Sequence, residues 1–196
     1  MSIYTAEEEQ LLLNICHASI KEGLINKRSL KIRPIDYGKN LRRKGACFVT
    51  LKKKEALRGC IGSIRPLKPL IVDAANNAFS AAFRDSRFSR LTEEEYEECS
   101  LSLSVLSQPE CMKFDSEEDL IRQLRPGVDG LILTEGDCCG VFLPLVWEKL
   151  PTAKLFFAHL KSKAGLSSHY WSNTLQVERY TASLISEESL LLDEAL

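Results

Sequence analysis

Two runs of β-forming residues, "GACFVTLKK" (45–53) and "ALRGCIGSI" (56–64), are joined by the short charged turn Lys54-Glu55. Apolar, β-branched and aromatic residues in short runs around such a turn predict an antiparallel β-hairpin. The second run contains the stretch "LRGCIGS" (57–63), in which two glycines bracket Cys60. The hairpin therefore constrains the fold and also carries the most unusual local sequence of the chain.

The order of the other predicted elements indicates the fold class. Thr5 and Glu8 form a capping-box pattern and Gly23 is a natural helix stop, so the first helix is expected to end there. Alternating Leu and Ser over 99–107 predict a strand with one buried face. Helices are predicted over 6–23, 69–85, 116–125 and 151–165, a short acidic helix or turn over 92–99, and further strands over 129–134, 140–144 and 175–186. This order is not a regular βαβ alternation, so it favours an α+β fold with a mostly antiparallel β-sheet flanked by helices.

Composition indicates a soluble globular protein. The 196 residues are 44% apolar and 27% charged, and no apolar run reaches the length of a transmembrane helix. The N-terminus is acidic and lacks the apolar region of a signal peptide. Seven cysteines without a CxxC pair predict free thiols in a reducing cytoplasm. No metal-ligand spacing and no nucleotide-binding motif occur, so we expect neither metal nor cofactor.

Charge is unevenly distributed although the net charge is only −1. Residues 21–68 hold 15 Lys and Arg against 3 Asp and Glu, whereas residues 85–125 hold 5 against 11. Such segments are typical of solvated faces, and they also fit a basic rim for a small anionic ligand or partner. Nucleic acid is not an expected partner, because the isoelectric point is near 6.3 and no nucleic-acid-binding motif occurs.

Strand alternation places Arg58, Cys60 and Gly62 on one face of the hairpin, with Leu57 and Ile61 as core contacts on the other. A nearby arginine favours the thiolate of a cysteine, and a glycine within a strand often marks close approach by a ligand or another chain segment. A lone cysteine is also commonly a small core residue. Both interpretations of Cys60 remain open from the residues alone.

Two further groups have a structural and a functional interpretation. Asp85 and Arg87 either close the end of the helix with an ion pair or contribute to a site in the loop that follows it. His159, on the predicted helix 151–165, is either structural or a base for Cys60. The sequence does not give the distance between these groups.

Seven motifs in order carry a family resemblance: "GACFVTLKK", "LRGCIGSIRPLKPL", "AAFRDSRF", "LSLSVLSQPE", "LRPGVDGLIL", "VFLPLVWE" and "KAGLSSHYW". Together they resemble the AMMECR-type domain family, named for the Alport, midface hypoplasia and elliptocytosis chromosomal region. Its bacterial and archaeal branch is called AmmeMemoRadiSam system protein A. The resemblance covers residues 8–182 as a single domain, with 1–7 and 183–196 as terminal extensions.

The resemblance implies a cytoplasmic α+β protein with a larger and a smaller subdomain and a cleft between them. It also implies which residues line that cleft. Carried over residue by residue, and with His159 added from the helix pattern, the predicted binding residues are Arg58, Gly59, Gly62, Asp85, Arg87, Phe88, Asp129, Gly130, Trp147, His159 and Lys163.

Two functions fit these residues. The first is a thiol-dependent enzyme that acts on an anionic substrate, with Cys60 as its candidate catalytic residue. The alternative is a non-catalytic accessory or binding module, which the resemblance places beside Memo-type and radical S-adenosylmethionine proteins.

Overall fold

The computed structural model describes residues 4–187, so residues 1–3 and 188–196 of the predicted extensions lie outside the described part. The chain divides into two compact units. The larger unit comprises residues 4–106 and 183–187 of the described part, and the smaller unit comprises Ser107–Ala182. Each unit contains helices and an antiparallel sheet, which confirms the predicted α+β class.

The helices and strands have the following bounds. The α-helices are α1 (Ala6–Asn26), α2 (Lys39–Arg42), α3 (Leu70–Phe83), α4 (Glu93–Glu97), α5 (Glu117–Gln123) and α6 (Ala153–Lys163). Short 3-10 helices occupy Pro34–Asp36 and Pro144–Glu148. The strands are β1 (Lys44–Lys53), β2 (Ala56–Gly62), β3 (Lys68–Pro69), β4 (Cys99–Leu106), β5 (Glu110–Cys111), β6 (Gly130–Glu135), β7 (Cys138–Phe142), β8 (Gln176–Tyr180) and β9 (Ala182–Ser186).

The sheet of the larger unit has the order β2-β1-β4-β9, with β3 paired to one end of β1. The predicted hairpin is confirmed as the antiparallel pair β1–β2. The alternation of Leu and Ser on β4 is also confirmed, because the leucines are buried and the serines are not. The buried face of the sheet packs against α1 and α3. Ala74 and Ala78 of α3 are fully buried, and their small side chains allow α3 to pack closely on its neighbours.

The sheet of the smaller unit has the order β5-β8-β6-β7, and all of its pairs are antiparallel. Its buried face is formed by apolar residues of β6 and β8. These pack against the α6 side chains Phe156, Phe157 and Leu160, which are fully buried. The α6 residues recur at helical spacing, which explains why this segment forms an amphipathic helix.

Gly23 does not end the first helix, contrary to the sequence prediction. The predicted capping box at Thr5 and Glu8 is present, but α1 continues to Asn26 and ends at Lys27, which has a φ of 58°. Gly23 lies within the helix, where a Cβ atom would overlap the ring of Phe83. The glycine is therefore explained by the close packing of α3 on α1.

The predicted strand 175–186 is two strands that belong to different sheets. β8 pairs with β5 and β6 in the smaller unit, whereas β9 joins β4 in the larger unit. Thr181 separates them, and its backbone N–H and C=O bond to Ser107 instead of continuing one ladder. The sequence pattern is a continuous β-rich run, so it did not reveal this break.

Candidate functional site

A β-bulge interrupts the strand alternation of the "LRGCIG" motif. Gly59 pairs with Leu51 of β1. Leu57 pairs with Lys52, the next residue along β1, so Arg58 is an extra residue without a partner in the ladder. Leu57 and Gly59 consequently lie on opposite faces of the sheet.

The bulge overturns two predictions about the motif. Leu57 is 43% exposed and is not a core contact, although Ile61 packs against the core as predicted. Arg58 and Cys60 do not face the same way. The Arg58 side chain reaches Glu95 of α4, whereas the Cys60 sulfur accepts a hydrogen bond from Thr50 on the other face of β1.

At both glycines of the motif, neighbouring protein atoms occupy the space that a side chain would need. A Cβ atom at Gly59 would overlap the carbonyl oxygen of Ala81, so α3 packs directly on the backbone of β2. A Cβ atom at Gly62 would overlap the ring of Phe48. In the larger unit, close approach at both positions is made by the chain itself.

Asp85 connects the motif to the loop after α3. Its carboxylate accepts hydrogen bonds from the Cys60 N–H at 2.9 Å and from Nε and Nη2 of Arg87 at 2.9 and 2.6 Å. The Arg87 guanidinium holds the pKa of Asp85 well below its usual range, and the Cys60 amide adds to this effect. A buried carboxylate with this many donors is a fixed anion that sets the position of Arg87 and of the β2 backbone.

Arg58 is held in a similar way by a different carboxylate. Its Nε and Nη2 donate to the Glu95 carboxylate at 3.3 and 2.7 Å, and Nη2 also donates to the carbonyl oxygen of Ser89 at 2.9 Å. The Arg58 hydrogen bond lowers the pKa of Glu95. The third nitrogen, Nη1, is buried and has no hydrogen-bond partner among residues 4–187. A buried donor without a partner is costly and therefore rare.

Phe88 contacts both guanidinium groups. Its ring centroid lies 5.7 Å from the guanidinium carbon of Arg58 and 5.4 Å from that of Arg87. Arg87 also donates through Nη2 to the carbonyl oxygen of Cys60 at 3.2 Å, and its side chain is 54% exposed. None of these Arg87 hydrogen bonds involves Nη1, so within residues 4–187 both arginines beside this ring have an Nη1 without a hydrogen-bond partner.

The Cys60 thiol has a polar neighbour but a modest exposure. The residue is half-buried, and Thr50 donates from Oγ1 to the sulfur at 3.3 Å. This hydroxyl is the hydrogen-bond partner that the described residues supply to the sulfur. The guanidinium of Arg87 is held nearby through the Cys60 carbonyl oxygen.

Three predicted site residues form a packed group within the smaller unit. Asp129 is fully buried, and its carboxylate accepts three hydrogen bonds from the backbone and side chain of Arg125. Its carbonyl oxygen accepts from Trp147 Nε1 at 2.7 Å, and the indole stacks on Phe156. A Cβ atom at Gly130 would overlap atoms of the Tyr180 ring. These contacts give all three residues a structural role.

His159 and Lys163 lie on α6. His159 is exposed, whereas Lys163 donates to the carbonyl oxygen of Val141 at 2.7 Å and lies 5.0 Å from the Phe142 ring centroid. Partial burial lowers the pKa of Lys163. The helix ends as predicted just before Gly165, which has a φ of 86°.

Comparison with known proteins identifies the family. The AMMECR1 family model matches residues 13–185, nearly the whole chain. The chain belongs to the AMMECR1 family. A protein of Methanothermobacter thermautotrophicus is 35% identical over 93% of this chain and 95% of its own length. A protein of Methanocaldococcus jannaschii is 32% identical over 95% of this chain and 94% of its own.

A solved structure shares the fold. The crystal structure of an uncharacterised protein from Pyrococcus horikoshii superposes on this AMMECR1 chain with a TM-score of 0.81. The two are 32% identical, and the match covers 90% of this chain and 89% of the other. The α+β architecture described above is therefore shared with an experimentally determined structure.

In this AMMECR1 chain, the predicted residues fall into two groups. Arg58, Gly59, Cys60, Asp85, Arg87 and Phe88 form one contact network in the larger unit, with Gly62 farther along β2. Asp129, Gly130, Trp147 and Lys163 have their described contacts inside the smaller unit. Among the described residues, no helix is long and apolar enough to cross a membrane.

Sequence analysis missed Glu95 and a polar network on α3. Asp73 accepts hydrogen bonds from the Cys47 backbone, the Ser63 hydroxyl and the Asn77 amide, and Asn77 also donates to the Cys47 carbonyl oxygen. This network fixes the end of β2 beside β1. The available signal was Asp73 and Asn77 at i and i+4 on an otherwise apolar helix face.

Proposed function

We propose that this protein binds a small anionic ligand at the Arg58–Arg87 site, defined by Arg58, Cys60, Asp85, Arg87 and Phe88. The observation that carries the proposal is the buried Nη1 of Arg58, which lacks a partner although the rest of the guanidinium is fully bonded. Such a donor is complemented by an oxygen of a carboxylate or phosphate.

The charges of the site favour a ligand that is held in a defined orientation rather than one that is bound tightly. Asp85 and Glu95 neutralise the two arginines, so the ligand gains directed hydrogen bonds without a large excess of positive charge. Because the carboxylates also fix the guanidinium planes, little side-chain entropy is lost on binding. Phe88 is half-buried beside both arginines, and because Nη1 of Arg58 is buried, a ligand reaches it only after a neighbouring group moves.

Titration calorimetry with inorganic phosphate and acetate tests this proposal. We expect binding that weakens with added salt and is lost in Arg87→Gln. Arg125→Gln is a matched control, because Arg125 is 52% exposed and pairs with buried Asp129 much as Arg87 pairs with Asp85. Binding retained by Arg87→Gln, or lost in Arg125→Gln, contradicts the proposal; the second outcome favours a site at Asp129.

A thiol-dependent enzyme is the second candidate function. The hydroxyl of Thr50 directed at the Cys60 sulfur, with an arginine held next to the same residue, is the observation that favours it. We expect iodoacetamide to modify Cys60 in the native protein faster than the exposed Cys111, with Cys60→Ser and Thr50→Val removing the fast phase. Slower modification of Cys60 than of Cys111 counts against a nucleophilic role.

The accessory role is a proposal that rests on the family resemblance. In it, the protein is cytoplasmic and works with Memo-type and radical S-adenosylmethionine proteins. The absence of disulfides among its seven cysteines is compatible with a reducing compartment. Size-exclusion chromatography of the purified protein with the Memo-type and radical S-adenosylmethionine proteins of the same genome tests the association. Unchanged elution of all three argues against it.

A further inference from the structure

A pocket in the larger unit lies where the end of α1 meets the end of α3. It is lined by Gly23, Lys27, Phe79, Phe83, Arg84, Arg90 and Leu91. Its empty volume is about 480 Å³, which includes space open to solvent. None of these residues contributes a described contact to the Arg58–Arg87 site.

The floor of this pocket is aromatic. The rings of Phe79 and Phe83 lie 5.1 Å apart between centroids and are tilted by 43°. They rest on the backbone of α1 at Gly23, where a Cβ atom would overlap the Phe83 ring. The absence of a side chain at Gly23 thus allows two aromatic rings to form one apolar surface beneath the opening.

The rim of the pocket is cationic. Lys27, Arg84 and Arg90 are all exposed, and none of the seven lining residues is acidic. The ion pairs found among residues 4–187 include none of these three side chains. The guanidinium carbon of Arg84 lies 5.1 Å from the Phe79 ring centroid, so this charge is held directly over the aromatic floor.

The negative end of the α1 dipole does not cancel these charges. Lys27 donates its backbone N–H to the carbonyl oxygen of Gly23 and its Nζ to that of Leu24. These bonds satisfy two of the free carbonyl groups at the helix end and place a positive charge there. The Lys27 ammonium is therefore already hydrogen-bonded within the chain, whereas the guanidinium groups of Arg84 and Arg90 are available to pair with an external anion.

We propose that this pocket binds a small anion with a flat apolar body, of the class of aromatic carboxylates and aryl phosphates. The apolar body lies on the half-buried Phe83, and the anionic group pairs with Arg90 and with Arg84, which is stacked on the Phe79 ring. Neither feature is sufficient alone, because the floor is too small for tight apolar binding and exposed arginines bind simple ions weakly.

Ligand-detected NMR and calorimetry with phenylacetate and phenyl phosphate test the proposal on the full chain. Benzyl alcohol lacks the charge, and acetate and inorganic phosphate lack the ring, so all three are expected to bind this pocket much more weakly. Arg84→Gln and Arg90→Gln are each expected to weaken phenylacetate binding about tenfold. Arg122→Gln, an exposed arginine of the smaller unit, is the control and is expected to leave it unchanged.

The outcomes separate this pocket from the Arg58–Arg87 site. Phenylacetate binding that survives Arg87→Gln and is weakened by Arg84→Gln supports the proposal. Binding that is lost in Arg87→Gln and unaffected by Arg84→Gln overturns it. It is also overturned by equal affinity of the Arg87→Gln variant for acetate and phenylacetate, or by no phenylacetate binding up to about 10 mM, where a ligand with a Kd of ~1 mM is nearly saturating.

Discussion

At the scale of single residues, two carboxylates determine the geometry around the "LRGCIG" stretch (57–62). Asp85 and Glu95 each bind a guanidinium through Nε and Nη2, and Asp85 also accepts the Cys60 N–H. Their hydrogen bonds to arginine lower the pKa of both carboxyl groups, so each anion stabilises the folded state. This network positions the backbone of Cys60, whereas the Cys60 sulfur accepts a hydrogen bond from the Thr50 hydroxyl.

Asp85→Asn is expected to lower the free energy of unfolding at pH 7 by about 1–3 kcal/mol, because the Cys60 N–H and the Arg87 guanidinium lose an ionised acceptor. The folded pKa of Asp85 lies below that of the unfolded chain. Its contribution is therefore complete above about pH 4 and is lost progressively as the pH falls below this value. Urea unfolding of both proteins at pH 7 and pH 3 measures the difference, which should shrink at the lower pH.

Asp119→Asn is the comparison for this experiment. Asp119 is 29% exposed and pairs with the largely exposed Arg122, so its loss should change stability less than the loss of Asp85. Equal effects of the two substitutions, or a difference for Asp85→Asn that grows at pH 3, would contradict the role assigned to the Asp85 network.

At the scale of elements, helix α3 decides the conformation of its neighbours. It packs on the backbone of α1 at Gly23 and on the backbone of β2 at Gly59. The adjacent bulge at Arg58 turns a side chain predicted to share a face with Cys60 toward α4. The glycine in β2 and the small residues of α3 therefore both serve one close helix–strand contact.

Gly23→Ala is expected to destabilise the protein by about 1–2 kcal/mol, because overpacking against Phe83 outweighs the gain in helix propensity. Thermal and urea unfolding measure this change. Asn14→Ala, at an exposed position of the same helix, is the control and should be neutral or slightly stabilising. A stabilising effect of Gly23→Ala would show that the close contact with α3 does not hold.

At the scale of the whole molecule, the chain forms two units with separate sheets and cores. The larger unit is completed by β9, so residues far apart in sequence share one sheet. Its core contains Cys16 and Cys47, both fully buried, whereas Cys111 and Cys139 are exposed. Burial raises the pKa of Cys16 to about 12 and that of Cys47 well above its ordinary value.

Thiol labelling is expected to report global unfolding of the larger unit. With an aromatic disulfide reagent, all seven cysteines react in denaturant, but Cys16 and Cys47 are protected in the native protein. Mass spectrometry of labelled peptides over a urea gradient measures each site, and Cys16 should follow the loss of circular dichroism. Native labelling of Cys16 as fast as that of Cys139 would be incompatible with this core.

The sequence by itself determined the hairpin, the capping box at Thr5 and the α+β class, because local spacing of apolar and capping residues controls these features. The family motifs placed Arg58, Cys60, Asp85, Arg87 and Phe88 in one predicted site, but together with Asp129, Trp147 and Lys163 of the smaller unit. Only the tertiary structure decided the bulge at Arg58, the continuation of α1 through Gly23 and the separation of β8 from β9. Each of these depends on contacts between residues distant along the chain, which a local pattern does not encode.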